Sequence, residues 1–114
     1  NMNTLSTIGN RAPNNYTLLI LDNGSYGSTG DQKTFTSEKT SLKDIAIGSG
    51  CKKVIECKSK ETADMLLKAI KDKKNSYVII SKVKSGNVSV EPIPLNPITI
   101  RDRFRKFIGI VKYL

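Results

Sequence analysis

The chain has 114 residues, 38% of them hydrophobic and 25% charged, which is a globular composition with enough length for one packed core and not two. Its formal charge is +9 and it contains no histidine, so a Ser-His-Asp triad, a Cys-His pair and a histidine-ligated zinc site are all excluded from within it. Positive charge invites a nucleic-acid partner, but the lysines are dispersed and no aromatic alternates with a basic cluster, which argues against that class.

In chain order, Asn3–Arg11 reads as the end of a helix, with Leu5 and Ile8 on one face. Pro13 stops it and Asn14-Asn15 turns the chain. Tyr16–Asp22 (YTLLILD) is a nearly continuous apolar run, the pattern of a strand buried on both faces of a parallel sheet. Asn23–Lys39 is a long polar loop holding Gly24, Gly27 and Gly30, and loops of that length in a compact domain are usually functional. Ser41–Gly50 reads as a helix capped by Ser41, with Asp44 three residues on and Gly48 and Gly50 closing it. Lys53–Cys57 is a short strand. Ser59–Lys73 is an amphipathic helix whose apolar face is Ala63, Leu66, Leu67 and Ile70. Tyr77–Val83 is a further strand, and Val88–Pro97 an extended connector. Thr99–Leu114 is a closing helix striped by Ile100, Phe104, Phe107, Ile108 and Val111, read as core packing. Strands alternating with helices define an α/β domain, a mostly parallel sheet with helices on both faces.

Cys51 and Cys57 have neither redox-motif nor zinc-pair spacing and read as free thiols in a reducing, cytoplasmic compartment. No apolar run approaches the ~18–20 residues a membrane span needs, the longest useful one being Leu18–Leu21.

The stretch that carries chemistry is Asp22-Asn23-Gly24-Ser25-Tyr26-Gly27-Ser28-Thr29-Gly30-Asp31-Gln32. It leaves the carboxyl end of a strand, the edge where open α/β sheets bind ligands. Asp-Asn offers hard oxygens suited to Mg²⁺ or Ca²⁺, the glycines admit close backbone approach to an anion, and Ser28 and Thr29 add hydroxyl donors. On these grounds the segment is either a phosphate-plus-metal loop or an ordinary Gly/Ser-rich turn.

LLILDNGSYGSTGDQKT resembles the second half of the thiamine-diphosphate motif, and its DN-x-x-YGSTG-x-Q-x-T form resembles the sulfopyruvate and phosphonopyruvate decarboxylases. Asn3–Gly9, SLKDIAIGSGCKKVIEC and VEPIPLNPITIRDRFRKFI resemble the same family, so the likeness covers nearly the whole chain. It implies that residues 1–114 are the C-terminal part of a thiamine-diphosphate-binding domain. The motif's Gly-Asp-Gly half, with its metal-binding aspartate, has no counterpart here, and the chain reads as truncated at its amino end.

The resemblance implies a Mg²⁺ held by the Asn23 side chain and the Ser25 carbonyl, with Tyr26, Gly27, Ser28 and Thr29 lining the diphosphate. Asp22 then shapes the loop, and Gln32 and Thr34 either approach substrate or pack the loop. Lys33 reads as a solvated lysine, and Arg101, Arg103, Arg105 and Lys106 as an exposed face or subunit contact. The implied activity is decarboxylation of the anionic 2-oxo acid sulfopyruvate to sulfoacetaldehyde and CO₂, toward coenzyme M, with an α subunit supplying the pyrimidine-binding domain and its cofactor-activating glutamate. The alternatives are phosphonopyruvate or another 2-oxo acid as substrate and, in a different class, a non-catalytic fragment or basic binding module. An exposed sheet edge adds an expectation of oligomerisation or strand swapping.

Overall fold

The computed structural model describes residues 2–86, 88, 90–93 and 96–109. Helix α1 spans Met2–Arg11, strand β1 Tyr16–Asp22, β2 Ser25–Tyr26 and β3 Gln32–Lys33. Helix α2 follows at Leu42–Gly48, β4 at Lys53–Lys58, α3 at Thr62–Lys71, β5 at Ser76–Lys82 and α4 at Pro97–Phe107. The three longer strands form a parallel sheet in the order β1-β5-β4, and β2 and β3 form a small antiparallel hairpin.

Alternation along β5 builds both layers, because successive side chains of a strand face opposite ways. Val78 and Ile80 pack with Leu5 and Ile8 of α1, Ala46 of α2 and Cys51. Tyr77 and Ile79 face the other way, onto Ala69, Met65 and Leu66 of α3. The expected α/β sandwich, with helices on both faces, is therefore present. The register pairs Tyr16 with Ser76 and runs to Asp22 opposite Lys82, with Lys58 also opposite Lys82. Asp22 and Lys82 thus share the carboxyl edge of the sheet.

Local signals act as read. The Ser41 hydroxyl accepts the Asp44 N–H at 3.1 Å, capping α2. At its other end Cys51 N–H reaches the Ala46 carbonyl and Gly50 N–H the Ile47 carbonyl, with Gly50 at φ +92°. This is the paired closure that a left-handed residue after a helix allows. The same turn touches α1: a Cβ on Gly9 would lie 2.0 Å from the Ser49 carbonyl oxygen, so α1 and the end of α2 meet backbone to backbone.

Four expectations are corrected. The strand buried through its middle is β5, not β1. Tyr77–Ser81 are all buried, whereas Leu21 of β1 is 62% exposed. β1 pairs only with β5, so its other edge has no strand among the described residues. The face that α3 buries is Met65, Leu66 and Ala69, not Ala63, Leu66, Leu67 and Ile70. Leu67 and Ile70 are exposed, and the Thr62 hydroxyl at the head of the true face bonds Ser81 of β5 at 2.5 Å. The polar loop after β1 contains the β2–β3 hairpin and a 3-10 turn at Phe35–Ser37.

The stripe on α4 is not core either. Ile100, Phe104, Phe107 and Ile108 are exposed, and α4 buries no residue; Val111 and the rest of 110–114 lie outside the described residues. Both faces of the sheet are already covered, by α1 with α2 and by α3, and among the described residues the stripe joins neither core cluster. The radius of gyration, 18.0 Å, against about 13 Å for a compact chain of this length, reflects that. Asn96 caps α4 by accepting the Ile98 and Thr99 N–H groups, and Pro97 begins it, where a missing N–H costs nothing.

Candidate functional site

The carboxyl edge of the sheet presents Asp22 at the end of β1 and Lys82 at the end of β5. Asp22 is buried, and both of its carboxylate oxygens are engaged. Oδ1 accepts the Gly24 N–H at 3.0 Å and the Thr36 hydroxyl at 2.8 Å. Oδ2 accepts Lys82 Nζ at 2.6 Å. Lys82 also reaches the Thr36 carbonyl at 3.3 Å, and the Val83 N–H donates to the Asp22 carbonyl at 3.0 Å. Burial pushes the Asp22 carboxyl up, but the bonds from Lys82, Thr36 and Gly24 outweigh it and hold the group below the usual carboxylate range.

Asn23, one residue on, is exposed. Its Oδ1 accepts the Ser25 N–H at 3.2 Å, an Asx turn that fixes the amide oxygen over the loop. Gly24 takes φ +65°, a left-handed conformation in which a side chain is strained, and its carbonyl accepts the Thr34 N–H at 3.0 Å. The chain then enters the hairpin in which Ser25 pairs with Lys33 and Tyr26 with Gln32.

The hairpin tip spans Gly27–Asp31. The Thr29 and Asp31 N–H groups both donate to the Tyr26 carbonyl at 3.1 Å. The Thr29 hydroxyl is shared between Gln32 Oε1 at 3.2 Å and the Tyr26 carbonyl at 3.4 Å, and Gln32 Nε2 donates to the Thr29 carbonyl at 3.3 Å. Thr29 and Gln32 therefore close the tip, while the Tyr26 ring and Ser28 stand exposed on it. Asp31 adopts φ +61°. The hydroxyls of Ser25 and Ser85 lie 2.9 Å apart, and Ser85 donates to Asp31 Oδ1 in a short bond. Hydrogen bonds from Ser25 and Ser85 hold the Asp31 carboxyl below the usual range.

The structure thus gathers Asn23, Ser25, Tyr26, Gly27, Ser28 and Thr29 into one loop beyond the sheet edge. The oxygen set fits a hard divalent cation, and the exposed Ser28 hydroxyl is a donor suited to an anion, whereas the Thr29 and Asp31 N–H groups and the Thr29 hydroxyl are engaged within the hairpin. Asn23 Oδ1 keeps a second lone pair beside its bond to Ser25 N–H, and the Ser25 carbonyl is a second hard oxygen. Two protein oxygens are few, as expected for Mg²⁺, which completes its shell with phosphate oxygens and water. The described residues hold no cluster of three His, Cys, Asp or Glu side chains able to bind a metal by itself. Lys82, Thr36 and Ser85 escaped the sequence reading. The one available signal was a lysine closing the apolar run of β5, since a charge there sits at the edge where ligands bind.

Away from the loop, both cysteines are free. Cys51 is buried, its thiol donates weakly to the Leu5 carbonyl at 3.5 Å, and burial raises its pKa. No helix among the described residues is long and apolar enough to cross a membrane.

An α/β sheet carrying this loop at its carboxyl edge is the architecture of a cofactor-binding domain, and residues 1–81 match the C-terminal TPP-binding domain of thiamine pyrophosphate enzymes. The chain belongs to that family. It is 39% identical over 95% of its length to the sulfopyruvate decarboxylase subunit beta of Methanocaldococcus jannaschii, covering 57% of that protein. It is 35% identical to the corresponding subunit of Methanococcus maripaludis over 91% of its length, covering 55% of that protein. The phosphonopyruvate decarboxylase of Streptomyces viridochromogenes is 31% identical over 94% of the chain, which spans 27% of it. The chain thus spans just over half the length of the two beta subunits. No solved structure matches it.

Proposed function

We propose that this chain is the cofactor-holding part of a Mg²⁺- and thiamine-diphosphate-dependent decarboxylase of sulfopyruvate. The observation that carries the reading is the Asn23–Thr29 loop, anchored through Asp22 to the carboxyl edge of the sheet in a member of the thiamine pyrophosphate enzyme family. The names of the relatives point to sulfopyruvate and to a partner subunit.

The Asn23 amide oxygen and the Ser25 carbonyl would hold Mg²⁺, and Tyr26, Gly27, Ser28 and Thr29 would line the diphosphate. When bound, the cofactor supplies the nucleophilic carbon and the electron sink for loss of CO₂ from a 2-oxo acid. This chain's share is placement. Asp22 and its three donors fix where Asn23 leaves the strand, and the Asx turn orients its oxygen. On the tip, the exposed Ser28 hydroxyl would supply a donor to the anion. On this reading the partner subunit carries the pyrimidine-binding domain. The assembly is a hetero-oligomer in the cytoplasm, and its product, sulfoacetaldehyde, leads toward coenzyme M.

The test is CO₂ release by the full-length protein with its partner subunit, offered sulfopyruvate, phosphonopyruvate or pyruvate. Sulfopyruvate is expected to turn over fastest, with an absolute need for thiamine diphosphate and Mg²⁺. Faster release from phosphonopyruvate would move the assignment to that substrate. No release from any of the three would overturn the decarboxylase reading.

A further inference from the structure

The segment after the central strand is tied to the loop after β1 at two points far apart in sequence. Lys82 reaches Asp22, 60 residues away, and its neighbour Thr36. Ser85 reaches Ser25 and Asp31, which lie 60 and 54 residues away. One tether sits where the loop leaves the sheet and the other spans the base and far side of the hairpin. Between them lie Asn23, Ser25 and the tip.

The first tether does more than hold backbone. An ionised carboxylate beside the intended metal ligand is itself a hard ligand, and left bare it would compete for the cation and repel a diphosphate. Asp22 is instead spent on three donors, one of them cationic. We infer that Lys82 and Ser85 are positioning residues for the cofactor loop. Lys82 neutralises Asp22 and withholds it from the metal, leaving that role to Asn23 and the Ser25 carbonyl, and Ser85 clamps the hairpin that carries Ser25. This inference rests on the thiamine reading of the loop.

The test uses the intact protein with its partner subunit, in wild type, Lys82→Met, Ser85→Ala and the double variant Asp22→Asn/Lys82→Met. Amide hydrogen exchange without cofactor reads the tethers. Exchange across residues 23–37 is expected to quicken in Lys82→Met, and across 25–33 in Ser85→Ala. Titration with thiamine diphosphate and Mg²⁺ reads the consequence. Half-saturation by Mg²⁺ is expected to rise at least about tenfold in Lys82→Met, the scale of a lost supporting interaction at a metal site. The double variant, whose amide oxygen can still accept from the Gly24 N–H and the Thr36 hydroxyl without a charge, recovers most of that loss. A simple packing role for Lys82 gives no such recovery, so a double variant as weak as Lys82→Met overturns the inference. Single variants that exchange and bind like the wild type overturn it too, while leaving the thiamine reading standing. A wild-type protein that takes up no cofactor removes that reading and the inference together.

Discussion

Replacing Gly9 by alanine tests the junction of α1 with α2. The added Cβ would fall 2.0 Å from the Ser49 carbonyl oxygen and 2.9 Å from two backbone carbons. Ordinary non-bonded separations are about 3.5 Å or more, so α1 must retreat by more than about 1 Å. Nothing in the way is a side chain that can swing aside. The retreat loosens Leu5 and Ile8, both buried against β5. Overpacking of this kind costs about 1–3 kcal/mol, and rigid backbone places it at the upper end. Alanine returns about 1 kcal/mol of helix propensity. The net expectation is about 2 kcal/mol of lost stability. At an m-value of about 1–3 kcal/mol/M, the urea midpoint should fall by about 0.7–2 M. A Gly9→Ala protein as stable as the wild type would refute the close approach of the two helices.

Gly48 supplies the contrast: it is helical with nothing within 4 Å of its would-be Cβ, so Gly48→Ala should raise the urea midpoint, by about 0.5–1 kcal/mol of stability. Asp22 predicts a pH dependence. Its folded pKa is depressed, so its contribution is fully present above the unfolded value of about 3.9 and is lost as pH falls through the folded one. Urea midpoints between pH 5 and 2 should therefore fall less steeply in Asp22→Asn than in the wild type, and parallel curves would contradict the Lys82 pairing. The thiols should separate in a labelling experiment. Cys57, half-buried, is expected to react with a thiol reagent at native pH, and Cys51, buried with a raised pKa, only on unfolding. Equal rates would count against the packing around Cys51.

What was legible in the sequence was local. The Ser41 cap, the Gly50 stop, the strand ending at Asp22 and the Asp-Asn-Gly exit need only neighbouring residues, and each stands where the pattern put it. What was not legible depends on partners distant in sequence. In α3 the apolar residues form an arc wide enough for two overlapping stripes, and the choice falls to Thr62 meeting Ser81 across the layer. Likewise the apolar runs of β1 and β5 look alike, and only the strand order makes β5 central. For α4 the spacing revealed a stripe but carried no information on what would cover it. The candidate site divides the same way. Its loop members are contiguous and were readable, while Lys82 and Ser85 arrive from the end of β5 and just beyond it, 60 residues away in sequence from Asp22 and Ser25.

The measurement that bears most directly on the central claim is equilibrium binding of thiamine diphosphate to the intact protein with its partner, with and without Mg²⁺, in wild type and Asn23→Ala. The account predicts Mg²⁺-dependent binding that weakens at least about tenfold in Asn23→Ala, with the fold intact by circular dichroism. Binding that ignores Mg²⁺, or survives loss of the Asn23 amide unchanged, would contradict it.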